Sequence, residues 1–212
     1  MDFKDFFPSI TDGDLRRLLR THVAQVKDHE IEILVRILFW KPKGTEKMCL
    51  AIGAPSSPLL SNVLLHGFDH QVAAFCDELG VTYTRYADDL SLSANSSSLL
   101  ADAERMVTAL CEITDSPRLT LNLKKTVRVS KKKSRRVTGL VLTNDGQISL
   151  GRDQKRIIRA SVHHFLTDKL TKDEALSLRG MLAYVKSVEP GFLNRLRFKY
   201  GAENIRRIQT FT

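Results

Sequence analysis

The string Tyr86-Ala87-Asp88-Asp89 sets two adjacent carboxylates between two short runs, Val81-Thr82-Tyr83-Thr84-Arg85-Tyr86 and Leu90-Ser91-Leu92-Ser93-Ala94. Alternation through β-branched and aromatic residues predicts two strands, which puts the acids at the tip of a β-hairpin, projecting away from its core. Magnesium takes oxygen ligands from a few carboxylates plus substrate phosphates. A pair of such ions roughly 3.5–4 Å apart can clamp the attacking and leaving oxygens of an in-line phosphoryl displacement. Asp88 and Asp89 would supply part of that clamp. Aspartate is also an ordinary turn residue that caps nearby amides, so the pair alone leaves both readings open and its company must decide.

That company begins at Asp2-Phe3-Lys4-Asp5-Phe6-Phe7-Pro8-Ser9-Ile10, where a third carboxylate precedes an aromatic cluster, and continues with Gly53-Ala54-Pro55-Ser56-Ser57-Pro58-Leu59-Leu60-Ser61-Asn62. In this order and spacing the three motifs resemble the palm of a reverse transcriptase. Leu121-Asn122-Leu123-Lys124-Lys125-Thr126 looks like the family's Asn-x-x-Lys-Thr segment. Val137-Thr138-Gly139-Leu140-Val141 resembles the Val-Thr-Gly strand of bacterial retron enzymes, and Leu178 to Val185 and Tyr200-Gly201 look like the retron thumb. The resemblance runs from residue 2 to about residue 200 and is of retron type. A nucleotide cyclase would also fit the hairpin acids, but not the Gly53 to Asn62 loop.

Carried over by position, the resemblance implies that Asp2, Asp88 and Asp89 bind two catalytic Mg2+ ions, with Mn2+ as a substitute. Phe3, Phe7, Gly53, Ala54, Pro55 and Tyr86 would line the incoming dNTP. Phe7 would be the flat gate beside C2′, the position where a hydroxyl distinguishes ribose from deoxyribose; of Phe6 and Phe7, one is expected simply to pack in the core. Asp5 reads as a solvated or helix-capping acid. Gly53 lets backbone approach a ligand closely, and Pro55 and Pro58 stiffen the start of the following helix. Ile52 departs from the pattern, since many members carry Gln there. Lys124 or Lys125 can stabilise charge at the leaving pyrophosphate, and the resemblance favours Lys125.

The charge balance fits a nucleic-acid partner: 33 Lys and Arg against 24 Asp and Glu, net +9, pI near 9.6. From Lys124 to Arg136 there are eight basic residues and no acid, and from Gly151 to Thr212 thirteen basic against six acidic. Lys131, Lys132, Lys133, Arg135 and Arg136, with Arg152, Lys155, Arg156 and Arg159 at near-helical spacing, are the candidate phosphate contacts. Charge runs are otherwise ordinary solvated loops.

The fold expected is α+β, a reverse-transcriptase palm of antiparallel sheet covered by helices over residues 1–150, followed by a small α-helical thumb over 151–212. Asp12 is placed to cap a helix carrying Leu15, Leu18 and Leu19. A second helix runs through Ile31, Leu34, Val35 and Leu38 and ends near Pro42; a third runs from about Leu59 to Leu79; a fourth carries Leu99, Ala103, Met106, Leu110 and Ile113. Val137 to Leu142 and Gln147 to Leu150 flank Thr143-Asn144-Asp145-Gly146, a hairpin signal. Ile157, Ile158, Val162 and Phe165 supply apolar faces beyond it.

Three cysteines without metal-ligand spacing, no signal peptide and no apolar run near the roughly 18 residues of a bilayer span point to a reduced cytoplasm, and the resemblance implies that it is a bacterial one. His66 with His70 and His163-His164 invite a metal reading, which is set aside. Asp2 stands so early that the chain reads as truncated and without its fingers: a second chain supplies them, or the numbered start is not the biological one, or the chain is a remnant. The resemblance implies RNA template and primer, an RNA–DNA hybrid and dNTPs as partners. It also implies a dedicated noncoding RNA and an effector protein in antiphage defence. The alternative is a catalytically silent RNA-binding scaffold derived from a reverse transcriptase.

Overall fold

The structure is a computed structural model describing residues 1–212, and it divides into two compact units, Met1–Val127 and Arg128–Thr212. In the first unit, α1 (Phe6–Ser9), α2 (Asp12–His22), α3 (Asp28–Leu38), α4 (Ser57–Leu64) and α5 (His66–Leu79) precede a hairpin of β1 (Thr82–Tyr86) and β2 (Asp89–Ser93), which α6 (Ser97–Ile113) follows. The hairpin is antiparallel with Thr82 opposite Ser93 and Tyr86 opposite Asp89. Isolated bridges widen it: Asp2 pairs with Asp89, and Phe3 with Leu121. The ribbon therefore runs β1, β2, residues 1–3, then residues 120–122, held by Leu90 N–H to Met1 O (2.9 Å), Phe3 N–H to Asp88 O (3.0 Å) and Asn122 N–H to Asp2 O (2.7 Å). Helices α5 and α6 pack on each other and on β1 and β2.

Each helix follows from its sequence. Helix α2 starts at Thr11 rather than being capped by Asp12: the Thr11 amide and hydroxyl donate to Asp14 Oδ2 at 2.7 and 2.9 Å, a capping box that leaves Asp12 in the first turn. Helix α3 ends at Leu38, short of Pro42. The single helix expected over Leu59–Leu79 is two, because the chain bends at Leu65 (φ −93°, ψ 3°). Neighbours on a straight helix point about 100° apart; the bend lets Leu64, Leu65 and Phe68 all enter the core, with Leu65 fully buried. On α6 the buried residues are Ala103, Val107, Leu110 and Cys111, so the apolar face is rotated from the expected one, and Ile113 is exposed. Cys49, Cys76 and Cys111 are free and buried, and burial pushes the Cys111 thiol up to about 11.

The second unit opens with a meander of β3 (Arg135–Val137), β4 (Leu140–Leu142) and β5 (Ile148–Ser149). The strand expected over Val137–Leu142 is instead a hairpin, with Val137 opposite Leu140 and Thr138-Gly139 between them at φ 47° and 84°. Two successive positive φ values make the primed turn that matches strand twist, and glycine takes the second without strain. Helices α7 (Gly151–Leu166), α8 (Lys172–Val188), α9 (Pro190–Tyr200) and α10 (Ala202–Gln209) bury Ile158, Val162, Leu178, Leu182, Val185, Phe192, Leu196, Ile205 and Ile208 in one core, while Ile157 faces solvent. The meander's Leu150 and Leu140 join that core, which is why the units divide after Val127 and not at the residue 150 expected from the onset of helix. No helix is long and apolar enough to cross a membrane.

Candidate active site

The acids are positioned by backbone pairing. Tyr86 and Asp89 close the hairpin, so Ala87 and Asp88 form a two-residue turn, and Ala87 carries φ 52°, a left-handed value that glycine or asparagine normally supplies. Residues opposite each other in an antiparallel pair project to the same face with Cβ atoms about 4.5–5.5 Å apart. The Asp2–Asp89 bridge thus places two carboxylates together, with Asp88 one residue away and its carbonyl tied to the Phe3 amide.

Asp2 is the buried member. Its side chain is 11 % exposed, and Oδ2 accepts a hydrogen bond from Lys125 Nζ at 3.2 Å. Its Oδ1 is buried with no hydrogen-bond partner. The 3-10 turn Leu123–Lys125, entered from the Asn122 amide bonded to Asp2 O, delivers Lys125 and not Lys124 to the acid. No three His, Cys, Asp or Glu side chains converge closely enough to cage a metal ion. Magnesium needs no such cage, because it is held by one or two carboxylates with substrate phosphates and water completing the shell. An orphaned carboxylate oxygen on Asp2, a cation already drawn to its neighbour and two more acids beside it form a donor set that suits a hard divalent ion.

The aromatic residues separate into core and surface. Phe3 is 2 % exposed, stacked on Phe6 (centroids 5.6 Å apart) and edge-on to Phe68, so its side chain is committed to packing, a departure from the nucleotide contact expected of it. Phe6 is likewise buried, and Phe7, tilted against it at 5.2 Å, is half-buried and reaches the surface. Tyr86, beside the turn, is 73 % exposed. Asp5 sits at the N-terminal cap of α1 but makes no side-chain cap bond. Gly53 (φ 86°), Ala54 and Pro55 form the open loop ahead of α4, anchored by Ser57 Oγ donating to Ala51 O at 2.7 Å, and Ile52 is exposed.

One group was not singled out in the sequence. The Arg85 guanidinium, 4 % exposed, donates from Nε to Asp69 Oδ1 (2.8 Å), from Nη2 to Asp69 Oδ2 and from Nη1 to Ala87 O (2.9 Å). Tyr83 Oη donates to the same Asp69 at 2.7 Å. Burial opposes the charge on Arg85, but the bonds and charge of Asp69 outweigh it and hold the guanidinium above its ordinary value. Burial and Asp69 likewise push the Tyr83 hydroxyl up. Asp69 sits on the polar side of a helix well before the hairpin, and no local pattern joins the two.

The second unit carries 19 basic and 7 acidic residues, net +12, against 14 and 17 in the first, net −3. Arg152, Arg156 and Arg159 are exposed along α7 and line an open groove of about 540 Å3 with Asp153 and Lys155. Lys155 itself turns inward: it is 18 % exposed, 2.7 Å from Glu189 and 2.8 Å from Ser149 Oγ, which sets it apart from the phosphate contacts expected at this spacing. Arg159 lies over the Phe192 ring at 5.1 Å. Lys131, Lys132, Lys133 and Arg136 are exposed, whereas Arg135 is half-buried and donates to Thr143 O at 2.7 Å.

Comparison with known proteins is consistent across the chain. Residues 1–142 match the family described as reverse transcriptase (RNA-dependent DNA polymerase). Over all its length the chain is 35 % identical to the retron Ec83 reverse transcriptase of Escherichia coli, spanning 69 % of that protein. It is 31 % identical to the retron Ec86 reverse transcriptase of Escherichia coli, with 99 % of this chain and 63 % of that protein aligned. The retron Mx65 reverse transcriptase of Myxococcus xanthus is also 31 % identical, with 92 % of this chain aligned to 47 % of that protein.

Proposed function

The chain belongs to the reverse transcriptase family and is of retron type, and from that premise we propose that it copies RNA into DNA, with the first unit as palm and the second as a nucleic-acid-gripping thumb. The observation that carries the reading is the pairing of Asp2 with Asp89, one residue from Asp88, around an unpartnered carboxylate oxygen. Asp2, Asp88 and Asp89 would hold Mg2+, or Mn2+ in its place. When bound, the ions' chemistry is neutralisation of charge on the attacking and leaving oxygens of an in-line displacement at the α-phosphate of a dNTP.

The chain's own residues do the rest by positioning and by charge. Backbone bridges fix the acids on the ribbon, so little reorganisation is needed when substrate arrives. Lys125, exposed at its ammonium end and tethered to Asp2, is placed to neutralise or protonate a leaving pyrophosphate. Phe7, half-exposed beside a buried Phe6, is the ring that would exclude a 2′-hydroxyl, while Tyr86 and the Gly53–Pro55 loop offer exposed surface to the nucleotide. Arg152, Arg156 and Arg159 would track the phosphates of template and primer or of the RNA–DNA hybrid.

The retron likeness extends the reading to a dedicated structured noncoding RNA as template and primer, and to antiphage defence beside an effector protein. A catalytically silent RNA-binding scaffold derived from a reverse transcriptase is the competing reading, since the strongly basic second unit would bind RNA whether or not the acids take metal. Metal-dependent dNTP incorporation on an RNA template, compared between the wild type and Asp88→Asn with Asp89→Asn, decides between them. Incorporation lost in the variant supports the polymerase, and RNA binding without incorporation in either protein supports the scaffold.

A further inference from the structure

Arg85 is an almost fully buried cation at the next-to-last position of a five-residue strand, and all three of its nitrogens are committed. Two hold the Asp69 carboxylate on α5 and the third holds the Ala87 carbonyl in the turn. Tyr83 donates to Asp69 Oδ1, the oxygen that Arg85 Nε also holds, and the Phe6 ring lies 5.9 Å from the guanidinium carbon. A fork-to-fork pair of this kind is stronger and more directional than a neutral hydrogen bond. Its third arm ends on the one residue of the hairpin turn whose backbone is strained: Ala87 at φ 52°, where a non-glycine residue costs of order 1–3 kcal/mol and persists only when its surroundings dictate it. The next carbonyl, that of Asp88, accepts from the Phe3 amide at 3.0 Å. The two successive peptides of the turn, Ala87–Asp88 and Asp88–Asp89, are therefore each tied down through their carbonyls.

We propose that Asp69 and Arg85 are positioning residues that brace the Ala87–Asp88 turn against α5, so that Asp88 and Asp89 are already aimed where a divalent cation binds. The inference rests on reading those two acids as metal ligands. The brace acts through the Ala87 carbonyl and touches neither substrate nor metal. Partners of this kind behind metal ligands typically contribute 10- to 100-fold in metal affinity.

Mn2+ binding by the full chain, read from the electron paramagnetic resonance signal of the free ion, tests this, with thermal melting recorded for each protein. Wild type is compared with Asp88→Asn/Asp89→Asn, with Asp69→Asn/Arg85→Met, and with the latter carrying Ala87→Gly. Replacing both brace residues together leaves no lone buried charge, and the new side-chain amide on α5 still offers an oxygen that accepts from Tyr83. The brace predicts that Mn2+ held by the wild type is lost without the two acids, and that affinity falls about tenfold or more without the brace. Glycine, which adopts positive φ freely, should recover much of that loss. If the double replacement does not fold, Arg85→Lys keeps the charge against Asp69 but lacks the rigid planar fork that serves Asp69 and Ala87 together, and the same loss and recovery are expected. Unchanged affinity in a folded brace variant, or a loss that glycine does not recover, overturns the inference. A wild type whose Mn2+ binding is absent or indifferent to Asp88 and Asp89 overturns the underlying reading instead, before any change at Arg85 is made.

Discussion

Asp2 stands directly opposite Asp89 across an antiparallel bridge, and the only hydrogen bond to the Asp2 carboxylate comes from Lys125 at 3.2 Å. The two acids lie far apart in the first unit's sequence, so the sheet, and not local spacing, brings them together. Lys125 is the cation that balances Asp2 in the metal-free chain.

Replacing Lys125 by Met removes that balance. We expect the metal-free protein to lose about 1 kcal/mol, below the range for a buried bond to a charged group because the Lys125 side chain is largely exposed. We also expect polymerisation to slow by about 10²-fold if the ammonium serves the leaving pyrophosphate. Mn2+ should raise the melting temperature of the variant more than that of the wild type. An equal rise in both would show that Lys125 and metal do not share Asp2.

Phe6 and Phe7 should behave oppositely despite being neighbours. Phe7→Val trims a ring that only borders the core, so melting should shift less than for Phe6 while ribonucleotide incorporation relative to dNTP rises, by roughly 10-fold or more for a lost steric block. Phe6→Val empties a buried site and should cost about 2–3 kcal/mol with no selective effect on sugar choice. Single-nucleotide incorporation ratios and melting curves, taken on both variants, separate the two.

On α7 the same contrast holds between outward and inward bases. Replacing Arg152, Arg156 and Arg159 by Ala should weaken RNA–DNA hybrid binding and flatten the dependence of log affinity on log salt by about 0.7–0.9 per lost phosphate contact. Lys155→Ala should leave the salt slope alone and instead destabilise the fold. A slope unchanged in the triple variant would remove this groove from the binding face.

Glu189 accepts from Ser149, Leu150, Lys155 and Arg195. Burial works against its charge, but Lys155 and these hydrogen bonds prevail and hold its carboxyl below the ordinary 4.5. A depressed folded value means that the stabilisation is complete above the unfolded value and is lost as pH falls through the folded one. Melting of the second unit should therefore weaken below about pH 4.5 in wild type and less so in Glu189→Gln, which should itself cost about 1–3 kcal/mol at neutral pH. Parallel acid-melting curves for the two proteins check this.

What the sequence reveals is what is local. Alternation around Tyr86–Asp89 is sufficient to place a hairpin with the acids at its turn, and helical periodicity finds α2, α3 and α6 to within a turn. The bend at Leu65 escapes because both halves carry the same apolar period and neither Gly nor Pro marks the break. The Thr138-Gly139 turn hides inside an apolar run that reads as one strand. Lys155 looks like Arg152 and Arg156 until Glu189, far along the chain, is seen to claim it. The Asp69–Arg85 brace joins a helix's polar side to a strand, and only the tertiary structure pairs them. Phe3 reads as a site residue by its neighbour Asp2, yet strand alternation turns its ring into the core.

The central claim is that Asp88 and Asp89 are the acids of an RNA-copying enzyme. The most direct measurement is to recover the protein from its native host, at its native locus, and look for DNA covalently linked to RNA, alongside the Asp88→Asn/Asp89→Asn variant expressed to the same level. The account predicts RNA-linked DNA with the wild type and none with the variant, while RNA still copurifies with both. RNA-linked DNA in equal yield from both proteins, or RNA without DNA from the wild type, would contradict it.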